Sequence, residues 1–449
     1  MQKSRSYLHV LGTDPDKDKP VFGYEVNPEI KMAPALFPWA WTPHGSKYAM
    51  AALDTGVSPN EMYYIAPLAG LQQPLVPWKK IAGFEDEVKS VALHGDDLFL
   101  LTFKNSPRFR VVRVNAAHPD LAGARDVLLE STAVIEQIAA ARDALYVRLL
   151  DGGIGRLLRI DYKSFRAREI KLPFEGTIFE LNTSQKHSGA LIGMSSWIRP
   201  PVYFKFDAEK NSLVETSLQP KSPLDVSAFE SVEVAARSHD GTMVPLSIIY
   251  RRGMKRDGNN PTLLLGYGAY GFPVRPSFNA RELAWLERGG VLAFAHVRGG
   301  GEFGREWHTA GQKSTKPNTW KDFIACAEYL VAEKYTSPQR LAGQGRSAGG
   351  ILVGNAIVER PDLFSAAVLL THGINDPRVE PWHSAKMAAR LQAATVSGKP
   401  VWLRVDYDAG HGIGASKRQR IEEQADTFAF LFDQLASPDA KVQKAGSSP

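Results

Sequence analysis

A single cysteine, Cys326, stands in a chain of 449 residues, so no internal disulfide can form and no cysteine-rich metal site can be built. Also missing is any apolar run near the ~18–20 residues that a membrane-spanning helix needs. The first six residues, Met-Gln-Lys-Ser-Arg-Ser, are polar and lead straight into a strand-like Tyr7–Val10, with no apolar stretch of the kind a signal peptide carries. These absences give the expectation of a cytoplasmic chain without membrane contact. There is no dense Lys/Arg block, and a net charge of +6 is small for this length, which argues against a nucleic-acid partner. What is present is a globular composition, 44% hydrophobic and 23% charged, well above the apolar share of chains that stay unfolded. A single core rarely grows to this length, so two or three domains are expected.

The two halves differ in pattern. Residues 1–222 alternate short apolar runs with Gly, Asp, Asn and Pro, which reads as β structure. They also repeat. A turn followed by a strand begins at Gly45, Gly95, Asp143 and Gly189, in steps of 50, 48 and 46 residues, and a further strand follows each. A period in this range with several strands per unit predicts β-propeller blades, the competing arrangement being a sandwich of evenly spaced hairpins. About four units are visible, an incomplete propeller, and the chain begins within blade-like material. Residues 223–449 instead alternate strands with helical patterns after a hairpin around His239-Asp240-Gly241. That predicts an α/β-hydrolase fold: a mostly parallel sheet covered on both faces, with reactive groups at the carboxyl ends of its strands.

The motif Gly345-Arg346-Ser347-Ala348-Gly349 fits G-x-S-x-G. A strand predicted over Arg340–Ala342 precedes it and a helix from Ala348 follows, the context a nucleophile elbow requires. The alternative is a glycine-rich helix start capped by Ser347. A serine hydroxyl is a weak nucleophile without a base, so an acid and then a histidine should follow in chain order. Asp376 lies in the loop after a predicted strand over Ala366–Thr371, and His411 lies between two glycines after the next strand. Read alone, either residue is an ordinary loop residue; behind a serine elbow they form a candidate triad. His372 and His383 are weaker base candidates. An oxyanion needs preorganised donors: the Ala348 N–H is one, and Gly266-Tyr267-Gly268-Ala269-Tyr270-Gly271 can supply the Tyr267 hydroxyl or a backbone N–H. Arg298-Gly299-Gly300-Gly301-Glu302-Phe303-Gly304 lacks the Lys-Ser/Thr of a phosphate loop and reads as a tight loop bordering the site. This chemistry calls for no cofactor and no metal.

Together with Gly373-Ile374-Asn375-Asp376-Pro377-Arg378-Val379 and Asp408-Ala409-Gly410-His411-Gly412, these motifs resemble the prolyl oligopeptidase family of serine peptidases, over residues 227–437 and across the β repeats. The resemblance implies that Ser347, Asp376 and His411 are nucleophile, acid and base, with Tyr267 and Ala348 as oxyanion donors. It further implies that Arg378 binds a substrate carbonyl and that Tyr270 and Val379 line the pocket for the residue before the cut. The substrate would be a short peptide, cleaved after proline in the name-giving members. The chain departs from the family pattern in two places. The N-terminal part of the family, with several blades, has no counterpart. Only 29 positions separate Ser347 from Asp376, whereas a further strand and crossover are expected between them. Ser365-Ala366-Ala367-Val368 runs directly on as though two strands had been fused, removing the stretch that supplies the family's aromatic floor for proline. Two other readings follow: an esterase or acyl-aminoacyl hydrolase on the same fold, and an inactive truncated fragment.

Overall fold

The computed structural model describes residues 2–365, 367–412 and 415–435. The chain forms two compact units, one of residues 1–223 with 268–278 and 298–315, the other of 224–267, 279–297 and the chain from 316 onward.

Four consecutive antiparallel meanders, each of four strands, make up the first unit. Their first strands are Phe37–Trp41, Val88–His94, Val134–Ala140 and Thr177–Ser184. The turns read at Gly45, Gly95 and Asp143 open onto the second strands of their meanders, Tyr48–Asp54, Asp97–Thr102 and Ala144–Asp151, whereas Gly189 lies within the fourth, His187–Ser196, whose turn is at Gln185-Lys186. Antiparallel neighbours need only short turns, so each meander closes within one repeat. Apolar faces are buried between successive meanders: Met50, Ile65 and Tyr63 pack with Leu98, Leu100 and Val112, and Phe99, Leu101 and Val111 pack with Ile135, Leu145 and Val147. Tyr146, Leu157, Ile192 and Phe206 continue the series. No meander could bury its faces alone, so the unit is held together by stacking, as in propeller blades. A two-stranded ribbon, Arg5–Leu8 with Lys19–Gly23, lies beside the first meander, with Phe22 buried against Leu53 and Tyr64. A cavity of about 360 Å³ is lined by residues of all four meanders, among them Trp41, Leu93, Ile138 and Gln185.

The second unit contains β1 (Phe229–Arg237), β2 (Met243–Arg251), β3 (Thr262–Gly266), β4 (Val291–Ala295), β5 (Leu341–Gly345), β6 (Val368–Gly373) and β7 (Val401–Asp406). Its principal helices are α1 (Pro317–Ala332), α2 (Gly349–Glu359), α3 (Trp382–Ala394) and α4 (Lys417–Leu435). Strand order in the main sheet is β1-β2-β4-β3-β5. The core between this sheet and its helices holds Leu246, Ile248, Ala293, Phe323, Leu330 and Leu352, all fully buried. Among the described residues, no helix is long and apolar enough to cross a membrane.

The sheet corrects the expectation of a single, mostly parallel layer. β1–β2 and β2–β4 pair antiparallel, and only β4–β3 and β3–β5 pair parallel. The hairpin at Asp240-Gly241 reverses the chain, which makes the first pairing antiparallel. β6 pairs in parallel with β7 in a separate two-stranded sheet, not with β5. Too little chain lies between α2 and β6 to supply a strand that would join the two sheets. The predicted strand over Ala366–Thr371 is observed as Val368–Gly373, and Ala366 falls outside the described residues.

Candidate active site

β5 ends at Gly345 and α2 starts at Gly349, so the chain must turn from strand to helix within three residues. Ser347 accomplishes this at φ +53°, a left-handed conformation that side chains other than glycine seldom adopt. The flanking glycines are required by contact. A Cβ on Gly345 would run into the carbonyl of Gly349, and one on Gly349 would lie 2.8 Å from the Gly266 carbonyl oxygen. The turn therefore presses against the end of β3 and holds Ser347 exposed on a strained bend, with the energy supplied by the surrounding packing.

Three side chains from three strand ends converge there. Ser347 Oγ lies 2.9 Å from His411 Nε2, and His411 Nδ1 lies 2.5 Å from Asp376 Oδ2. A carboxylate can only accept, so His411 donates from Nδ1 and presents the Nε2 lone pair to the serine hydroxyl. Asp376 is 8% exposed. Its other oxygen, Oδ1, accepts from the backbone N–H groups of Arg378 at 2.8 Å and Val379 at 3.0 Å. Burial pushes the Asp376 carboxyl up, but the Val379 N–H, the His411 ring and the Arg378 N–H outweigh it and hold the group below the usual carboxylate range.

The acid and the base are placed by two loops packed backbone to backbone. Ile374 N–H donates to the Asp406 carbonyl at 2.8 Å, and Asn375 N–H donates to the Ala409 carbonyl at 3.1 Å. Asp406 Oδ1 accepts from the N–H groups of Asp408 and Ala409, which turns the chain toward His411. Gly373 permits the approach: a Cβ there would strike the carbonyls of Ala409 and Gly410. His372 is a fixing residue here, bonded through Nδ1 to Ser384 Oγ at 2.7 Å and through Nε2 to the Val379 carbonyl at 3.0 Å. His383 stacks on Trp382. Neither reaches Ser347.

The remaining predicted residues divide between the units. The backbone N–H of Ala348 stands at the N-terminal end of α2, where helix amides lack internal acceptors. Tyr267 follows β3, and its Cα lies 3.5 Å from where a Gly349 Cβ would sit, so its backbone adjoins the elbow. Arg378 and Val379 adjoin the acid. Tyr270 belongs to the first unit, at φ +58° and with its ring edge-on to Phe272. The Arg298–Gly304 loop, read from sequence as bordering the site, lies in the 298–315 segment and is likewise part of the first unit; the Arg305 N–H donates to the Pro107 carbonyl at 2.7 Å. The backbone cage around Asp376 was missed at the sequence level, although Asp-Pro-Arg-Val is the pattern in which an aspartate caps the N–H groups two and three residues on. Among the described residues, no group of His, Cys, Asp and Glu is arranged to hold a metal ion.

Comparison with known proteins places the chain in a family. Residues 1–217 match the family model described as prolyl oligopeptidase, N-terminal beta-propeller domain. Residues 276–369 and 365–438 match that of the prolyl oligopeptidase family, in two segments that meet where β6 begins. A prolyl endopeptidase of Elizabethkingia miricola is 29% identical over 494 aligned positions, covering 98% of this chain and 68% of the relative. A solved prolyl endopeptidase structure superposes with a TM-score of 0.86 at 28% identity, covering 96% of this chain and 70% of that one. Oligopeptidase B from Leishmania major shares the fold, with a TM-score of 0.83 at 23% identity and coverage of 96% and 68%. With both family models matched along the chain, the protein belongs to the prolyl oligopeptidase family.

Proposed function

We propose that the chain is a serine peptidase that hydrolyses peptide bonds of short peptides through an acyl-enzyme, on an α/β-hydrolase catalytic domain of residues 223–449 behind a partial propeller of residues 1–222. The observation that carries this reading is the continuous Ser347–His411–Asp376 hydrogen-bond chain at a strained elbow. His411 Nε2 takes the Ser347 proton as Oγ attacks the scissile carbonyl. Asp376 keeps the ring in the required tautomer and stabilises the imidazolium that forms. The oxyanion of the tetrahedral intermediate accepts from the Ala348 N–H and from Tyr267. Collapse breaks the C–N bond, and His411 returns the proton to the leaving amine. Water, deprotonated by His411, then attacks the acyl-enzyme and frees Ser347.

Arg378 is assigned to a substrate carbonyl, and Tyr270 and Val379 to the residue before the cut, by family resemblance. The similarity to prolyl endopeptidases supports peptides as substrates. A second reading, an acyl hydrolase without proline preference, is favoured by the short link between α2 and β6, which lacks the stretch that lines the family's proline pocket. The test is to compare short peptide amides carrying proline or alanine before the scissile bond with p-nitrophenyl esters. Peptide turnover that disappears in Ser347→Ala supports the peptidase reading. Ester turnover with no cleavage of either amide would replace it with the second.

A further inference from the structure

The first unit holds a cluster of charge that the proposed chemistry does not use. Glu136 is buried, its side chain 6% exposed, and it is shared by two guanidinium groups. Arg275 grips Oε1 through Nε and Nη2, and Arg148 Nε lies 3.3 Å from Oε2 while its Nη1 donates to the Ile178 carbonyl. A third cation, Lys89, lies within electrostatic reach of all three. Among the described residues its ammonium has no ion-pair partner within 4.0 Å; it stands over the ring of Phe109, 4.9 Å from its centre. Three cations therefore surround one carboxylate, an excess of two positive charges in a half-buried place.

Such an excess is costly unless an anion completes it. Loss of hydration pulls the Lys89 ammonium down to about 8; Glu136 opposes this, while Arg275 and Arg148 add to it. The floor beneath Lys89 is also built at a cost. Phe109 is held at φ +73°, an outlier for a bulky residue, and is packed edge-on against Phe103 at 5.4 Å. One of the cations remains accessible, the Arg275 side chain being 33% exposed, while the Lys89 ammonium is the one that has lost its hydration. The cluster comes from four separate places in the chain, two first strands, one second strand and the 268–278 segment, so no local turn requirement accounts for it.

We propose that Lys89, Arg148 and Arg275 form a binding site for a carboxylate-bearing ligand, with Phe109 as its apolar floor and Glu136 as the resident anion that keeps the two guanidinium groups in place. Arg275 already shows that this place holds a carboxylate, with Nε and Nη2 both donating to one oxygen, Oε1. The site lies wholly in the first unit and does not depend on the peptidase reading.

The test is calorimetric titration of the intact protein with succinate, and separately with inorganic phosphate. Succinate is expected to bind at one site per chain, weakened at least about tenfold by Lys89→Met or Arg275→Gln. Lys47→Met, which alters a surface lysine paired with Asp96, is expected to leave binding unchanged. Arg275→Gln provides the answer if Lys89→Met does not fold, since Arg275 is partly exposed. Absence of saturable binding in folded protein, or binding indifferent to both substitutions, would overturn the proposal. Phosphate binding more tightly than succinate at the same residues would overturn the carboxylate assignment in favour of a phosphate ligand.

Discussion

Within the second unit, the five-stranded sheet and the β6–β7 pair are built to different standards. β2 and β4 are buried along most of their length, with Leu246, Ile248, Val291, Ala293 and Ala295 at no exposure. β6 has only Gly373 buried and β7 only Val401, and Trp402 is 53% exposed. Near the junction, α2 leaves Ile351 and Val358 at 52% and 73% exposure among the described residues. The proposed nucleophile stands on the first piece, and the acid and base stand on the second. On the proposed function, catalysis depends on how firmly a thin, two-stranded element is seated against the thick one. The two can be separated by experiment.

The largest effect is expected from Ser347→Ala, which should lower turnover by about a million-fold while leaving the melting transition in place. Retained turnover would move the nucleophile elsewhere. Asp376→Asn should cost about ten-thousand-fold in kcat by presenting the wrong tautomer of His411, a loss read in the pH–rate profile as well as in rate. Gly373→Ala probes the seating itself: a methyl against the Ala409 and Gly410 carbonyls should destabilise the unit by ~1–3 kcal/mol and lower kcat with it. A kcat unchanged in that variant would mean that loop contact does not position the base. Hydrogen exchange should be at least about tenfold faster in β6 and β7 than in β2 and β4, and equal protection would erase the contrast drawn here.

The smallest effect is on acid stability. The Asp376 carboxyl is held below its unfolded value of ~3.9, so its contribution is present in full above that pH and lost as pH falls through the lower, folded value. Relative to wild type, Asp376→Asn should flatten the pH dependence of unfolding in this acid window and leave the slope near neutrality unaltered.

Local signals made much of this legible in the sequence. The repeating Gly or Asp turns marked the second strand of the first three meanders, because a tight turn needs those residues wherever it sits, while Gly189 lies inside the fourth. The elbow was readable for the same reason in part: Gly345 is demanded by the Gly349 carbonyl within the turn, while Gly349 is demanded by the distant end of β3. The strand following His239-Asp240-Gly241 was foreseen, but its antiparallel pairing was not carried through to the sheet as a whole. The split between β5 and β6 depends on which strands find one another in space, which periodicity does not encode. Assignment of 268–278 and 298–315 to the first unit is non-local in the same way, and so is the meeting of Lys89, Glu136, Arg148 and Arg275 from four distant places.

The central claim is that Ser347, His411 and Asp376 work as one device on this shortened scaffold, and the rate of covalent labelling by a fluorophosphonate tests it most directly. Wild-type protein should be modified at Ser347 alone, with labelling abolished in Ser347→Ala and at least about a thousandfold slower in His411→Ala. Folded wild-type protein that takes up no label, or takes it up at the same rate without the imidazole, would contradict the account.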